Sequence, residues 1–165
     1  MNEYAAMLIR EYRQRGLLLD ANLLLVYVVG LYDRRLLGNL SRLDDYTGED
    51  FDLLARLIAL FDLVVTTPNI LTEVSNLATS ALARNRHRDY LAELAAVIDA
   101  LVEVAPASRA VAQLPVFKRL ALIDAGIEHV ARDRYLVISA DFNLVSHLHN
   151  EKIAAINFNH LRGLV

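Results

Sequence analysis

Three short apolar runs, each too brief for a helix and each followed by an amphipathic stretch, constrain this chain more than any other feature. Residues 17–19 (Leu-Leu-Leu), 63–66 (Leu-Val-Val-Thr) and 135–139 (Tyr-Leu-Val-Ile-Ser) are continuous in hydrophobicity rather than alternating. Strands buried on both faces read this way, as in parallel sheets covered by helices. The segments between them carry apolar residues at helical spacing. Helices are predicted over 22–37, from Phe51 through Leu54, Leu57 and Ile58 to Phe61, and over 70–83, 90–101, 116–132 and 142–150. A weaker strand is predicted over 102–105 before Pro106, and a last edge-like strand over 153–156. Strands separated by helices in this order imply parallel pairing, with helices on both faces of one sheet. The fold class is α/β.

A helix over 2–15, ended by Gly16, precedes the first strand, and residues 41–50 read as a polar loop. The 116–132 helix carries an interruption near Asp124. No linker or repeat divides the 165 residues, so one domain over 1–165 is expected, with 1–15 as a helical extension.

The absence of cysteine excludes disulfides, thiolate zinc sites and a cysteine nucleophile. The amino terminus lacks a basic leader before an apolar core, and the apolar stretches fall short of the roughly 18–20 residues a membrane span needs. A cytoplasmic protein without membrane association is expected. A hydrophobic content of 55% leaves apolar surface for a partner, so a homo-oligomer, a dimer at its simplest, is expected as well. The net charge of -3 argues against a general basic nucleic-acid coat but leaves room for a local one.

The acids are informative by position. Asp20 and Asp141 follow directly on strand signals, which sets both at the carboxyl edge of the sheet, where open α/β folds bind ligands. Glu73, read in the first turn of the helix after the second strand, stands at the same edge, and Asp124, at a helix start, joins them. Each has a plainer reading: Asp20 and Asp124 as helix caps, Glu73 as a partner of the helix dipole, Asp141 as a turn residue. Together they form a carboxylate cluster that is costly unless a cation neutralises it, and oxygen-only ligands without cysteine point to Mg²⁺ or Mn²⁺.

Four segments, taken in order, resemble the acidic motifs of PIN-domain ribonucleases: Asp20-Ala-Asn22-Leu-Leu, Pro68-Asn-Ile-Leu-Thr-Glu73-Val, Leu122-Ile-Asp124-Ala and Ile138-Ser-Ala-Asp141-Phe-Asn143-Leu. The resemblance covers the chain from about Gly16 to Phe158 and implies a three-layer α/β/α sandwich with a central parallel sheet. It also implies an Mg²⁺- or Mn²⁺-dependent endoribonuclease that cuts RNA by water attack, with Asp20, Glu73, Asp124 and Asp141 as metal-site acids. Asn22, Ser139 and Asn143 would support them. Where many members carry Thr or Ser before the third acid, this chain has Ile123. Small bacterial members are often toxins held by an antitoxin protein near the acidic edge, so RNA, an antitoxin and a second copy are the partners implied.

A fold-retaining binding or scaffold module with weak or no catalysis is the alternative. A nucleotide-binding domain fits less well, because Asp20-Ala-Asn22 stands where a glycine-rich phosphate loop would. The basic run Arg84, Arg86, His87, Arg88 reads as a solvated helix connection or as an RNA phosphate contact, with Arg34-Arg35 as a second candidate. His147 and His149, two apart on one helix, point to different faces and make a poor zinc pair.

Overall fold

In a computed structural model describing residues 3–162, five strands and nine α-helices alternate along the chain. Strand β1 (Leu17–Leu19) is followed by α2 (Ala21–Asp33) and α3 (Gly48–Ile58). Strand β2 (Val64–Thr66) leads to α4 (Pro68–Ala81) and α5 (His87–Ala100). Strand β3 (Val102–Glu103) is followed by α6 (Ser108–Ala112) and α7 (Phe117–Ala131), β4 (Leu136–Ser139) by α8 (Phe142–Asn150), and β5 (Ala155–Asn157) by α9 (Asn159–Arg162). Helix α1 (Glu3–Tyr12) precedes them all; residues 1–2 of the expected extension lie outside the described residues.

The sheet has the order β3-β2-β1-β4-β5, and every pair is parallel. Every residue of β1 and β4 is buried, as continuous hydrophobicity requires of strands covered on both sides. Helices flank the sheet in a three-layer α/β/α sandwich. The chain builds outward through β2 and β3 on one side of β1, then returns to build β4 and β5 on the other. The direction of winding therefore reverses between β1 and β4, and the carboxyl ends of these two strands flank the crevice that such a reversal opens.

Local chemistry sets the ends of the elements. Gly16 adopts φ 124°, on the positive side that side chains resist, and a Cβ there would lie 2.3 Å from Leu63. Helix α3 begins three residues before the predicted Phe51, because Thr47 and Asp50 form a reciprocal capping box that carries helix into the expected loop. In α4, Thr67 caps the Ile70 N–H at 3.2 Å and Pro68 occupies the first turn. The helix thus starts two residues earlier than predicted, and Glu73 falls in its second turn rather than its first. Helix α6 has no counterpart in the sequence reading, where its five residues are too few to show a period. No helix among the described residues is long and apolar enough to cross a membrane.

Candidate functional site

The first acid is placed by the turn from β1 into α2. Asp20 is the N-cap of α2, its Oδ1 accepting from the Leu23 N–H at 2.7 Å, while its Oδ2 accepts from the Ser139 hydroxyl. Capping and membership in an acid cluster are therefore both properties of this residue. Asp20 is only 5% exposed, and burial pushes its carboxyl from 3.8 up to about 6 even though the bonds from Ser139 and Leu23 pull the other way.

Ser139, the last residue of β4, joins two of the acids. Its hydroxyl donates to Asp20, and its oxygen accepts the Asp141 N–H at 2.9 Å. Asp141 in turn caps α8, accepting from the N–H groups of Asn143 and Leu144 at 2.7 and 3.1 Å. The switch-point strands β1 and β4 are thus tied at their carboxyl ends by a hydrogen-bonded chain.

Glu73 and Asp124 arrive from helices. Glu73 lies on the face of α4 that also carries Asn69, Thr72 and Asn76, at spacings of three and four residues. Asp124 follows a break in α7 that stands at Ala121 rather than at Asp124 itself. Ala121 has φ 58° and ψ -164°, a region almost reserved for glycine, and the helix restarts after it with Asp124 in its first turn. The carboxyl of Asp124 is pushed up to about 6, first by burial and then by the negative charges of Asp141, Asp20 and Glu73.

All four acids line one cleft of about 670 Å³. Asn22, Asn69, Thr72 and Asn76 add neutral polar groups to its wall, and no Lys, Arg or His is part of the lining. The donor set is oxygen-rich and negative, which suits a hard divalent cation such as Mg²⁺ or Mn²⁺. Among the described residues no three His, Asp or Glu side chains form a ready-made metal-ligating group. The acids share a cleft and feel one another's charge without being drawn into a coordination shell, an open arrangement that carboxylate repulsion favours.

Of the expected supporting residues, Asn22 lines the cleft and Ser139 orders it from below. Asn143 lines a neighbouring depression instead. None of the basic candidates Arg34, Arg35, Arg84, Arg86, His87 and Arg88 lines the cleft, and three of them are ion-paired elsewhere. Arg34 pairs with Asp52, and Arg35 and Arg86 both pair with Asp33, at 2.9 and 3.3 Å. His147 is buried against Glu128, whereas His149 bonds to the Ala155 carbonyl at 2.8 Å. The polar row on α4 was missed in the sequence, although it shows itself as Asn69, Glu73 and Asn76 at helical spacing. The interruption expected near Asp124 is present but stands three residues earlier, at Ala121, since an alanine gives no hint of a positive φ.

No family model matches the chain, and no curated protein matches it in sequence either.

Proposed function

We propose that this protein is an Mg²⁺- or Mn²⁺-dependent endoribonuclease whose metal-site acids are Asp20, Glu73, Asp124 and Asp141. The observation that supports this reading best is that all four acids line one cleft with no basic lining residue, where burial first and the charges of the other three acids second raise the Asp124 carboxyl. Four carboxylates brought together without a cationic side chain are a cost to the fold, and a site for a hard cation accounts for it.

A bound divalent ion supplies charge neutralisation and an activated water for attack on a phosphodiester. The remaining work belongs to the chain. Asp20 is held rigidly by Leu23 and Ser139, so it offers its oxygens in one orientation. Ser139 carries that order to Asp141 through the backbone N–H. Asn22, Asn69 and Asn76 present amide groups that can donate to phosphate or ribose oxygens without adding charge. Asp20 and Asp124, with pKa values near 6, are ionised at neutral pH and take up protons more readily than ordinary carboxylates.

The test is cleavage of a pool of structured and single-stranded RNA with Mg²⁺, Mn²⁺ or chelator, run beside Asp20→Asn. Cutting that depends on the ion and disappears in the variant is expected. Cutting that survives chelation, or equal activity in Asp20→Asn, would sink the assignment. A binding module with the same fold is the second reading, favoured by the open spacing of the acids; RNA that is bound but left intact under every ion would establish it. The toxin role, with an antitoxin over the acidic edge and a second copy as partners, rests on size and on the motif resemblance alone. A neighbouring gene for a small DNA-binding protein is its first check.

A further inference from the structure

Beside the acid cleft lies a second depression of about 350 Å³, lined by Arg119, Asn143, Ser146 and Asn150, with Leu120 forming part of both walls. Its chemistry is the reverse of its neighbour's. The acid cleft presents carboxylates and neutral amides; this depression presents one guanidinium, the imidazole of His147 and the side chains of Asn143, Ser146 and Asn150. Arg119 is exposed and, among the described residues, makes its one polar side-chain contact with the Nδ1 of His147. Asn143, Ser146 and Asn150 make no side-chain hydrogen bond among the described residues, so their donors face the depression free.

A relay of buried groups holds Arg119 in place. A guanidinium has only donors to give, so His147 Nδ1 accepts from it and the Nε2–H donates to Glu128 Oε2 at 2.6 Å. Glu128 also accepts from Arg132 at 2.6 Å, and Arg132 reaches Glu151 at 3.3 Å. Burial alone would raise the Glu128 carboxyl, but the bonds from His147 and Arg132 outweigh it and hold it below its ordinary value. Glu128 is therefore held as an anion by His147 and by an Arg132 that it shares with Glu151, and His147 is the link that orients Arg119. Arg119 makes no direct ion pair among the described residues, although it shares a second pocket with Glu128, Arg132 and Glu151, and it stands next to a cleft that a polyanion must enter.

We propose that this depression is a phosphate subsite, in which Arg119, helped by Asn143, Ser146 and Asn150, holds a backbone phosphate of the RNA strand flanking the one in the acid cleft. The inference rests on the ribonuclease reading, and it assigns His147 as a positioning residue. It also explains how an acid-lined cleft on a chain of net negative charge retains RNA: phosphate contacts from Arg, Asn and Ser fix the strand without reading its sequence.

The test measures binding of a fluorescein-labelled single-stranded RNA to the full chain in chelator, by anisotropy over a range of KCl, so that cleavage does not intervene. Arg119→Ala is expected to weaken binding about tenfold at low salt, as loss of a charge-assisted contact does. It should also flatten the log–log salt dependence by about 0.7, the value for one phosphate on a single strand. Arg119→Lys restores part of the affinity, since a point charge replaces the fork. Lys118→Ala removes the same charge one residue away and outside the depression, and is expected to have a much smaller effect. His147→Ala weakens binding in the wild type but adds little in the Arg119→Ala background, whereas a merely structural role would add its full effect to both.

Wild-type affinity and salt slope in Arg119→Ala, equal effects of Arg119→Ala and Lys118→Ala, or no RNA binding by the wild type at low salt would each overturn the subsite. A parallel cleavage assay with Mn²⁺ separates the two ideas. Ion-dependent cutting with Arg119-independent binding discards the subsite and keeps the nuclease; Arg119-dependent binding without cutting does the opposite.

Discussion

Replacing Asp20 by Asn is expected to stabilise the fold while abolishing ion-dependent activity, and the size of the gain follows from the structure. The Asp20 carboxyl titrates near 6 in the folded chain against an ordinary 3.8. Between these values the folded state binds the proton that the unfolded state has released, so stability falls as pH rises through the window and is flat above it. Holding the charge at pH 7.5 therefore costs about 3 kcal/mol, at 1.36 kcal/mol for each tenfold change in proton affinity. Asparagine keeps an acceptor for the Leu23 N–H at the start of α2, and loses about 1 kcal/mol in the bond from Ser139. A net gain of about 1–2 kcal/mol at pH 7.5 remains, or roughly 3–6 °C in Tm for a chain of this length.

The measurement is urea unfolding of both proteins at pH 7.5 and pH 4, read by far-UV circular dichroism. The difference between the two proteins is the informative quantity. Asp50 and Glu128 are held below their ordinary values, because bonds from Arg162 and Thr47, and from His147 and Arg132, outweigh burial; their contribution disappears as pH falls through their lowered pKa values. That opposite trend is common to wild type and variant and cancels. The advantage of Asp20→Asn should shrink to zero or reverse by pH 4. A variant less stable than wild type at pH 7.5, or an advantage that does not change with pH, would refute the claim that this acid is a cost to the fold.

Ala121→Gly is expected to stabilise the chain by about 1 kcal/mol, because glycine takes φ 58° and ψ -164° without the penalty that alanine carries there; differential scanning calorimetry reads the gain. Ser139→Ala removes the donor to Asp20 and the acceptor for the Asp141 N–H at once. A loss of about 2 kcal/mol in urea unfolding is expected, together with an acidic limb of the pH–activity profile displaced upward as Asp20 loses a bond that lowers its pKa. Tyr90→Phe should cost nothing and is expected to gain up to about 1 kcal/mol, since the buried Tyr90 hydroxyl has no hydrogen-bond partner among the described residues. A measured loss of stability in Tyr90→Phe would show that a partner exists.

The sheet was legible because burial on both faces leaves no polar residue in β1 or in 136–138 of β4, and no helix of three or four residues competes for such runs. Asp20 and Asp141 were legible for the same reason: a charge that closes an apolar strand marks the carboxyl edge of the sheet, although Asp20 is itself buried there. Glu73 was recognised, but one turn too early in its helix, since the helix was read from residue 70 and the cap Thr67 and Pro68 that start α4 were left outside it. The capping box at Thr47 and Asp50 was hidden in a polar stretch in the same way. The link between Glu128 and His147 joins residues 19 apart on two helices, and no period within either helix announces it. Such pairs become visible only when the helices are packed.

The reversal of winding between β1 and β4 connects these observations to function. Asp20 and Asp141 need only follow their strands to face one crevice, and Ser139 ties them because β4 pairs directly with β1 in register, Leu19 beside Ile138. Glu73 and Asp124 come from helices whose approach is not set by the sheet and needs its own devices. For Glu73 the device is the early, proline-started helix α4. For Asp124 it is the break at Ala121, which turns the rest of α7 toward the cleft at a cost of about 1–3 kcal/mol in backbone strain. The same break divides α7 into two tasks, with Arg119 on the basic depression before it and Asp124 in the acid cleft after it. Relaxing Ala121 to glycine should therefore stabilise the fold and loosen the spacing between the two sites, so that RNA affinity and cleavage fall although the protein melts later. A variant that melts later and keeps full activity would show that the strained residue is incidental to the site.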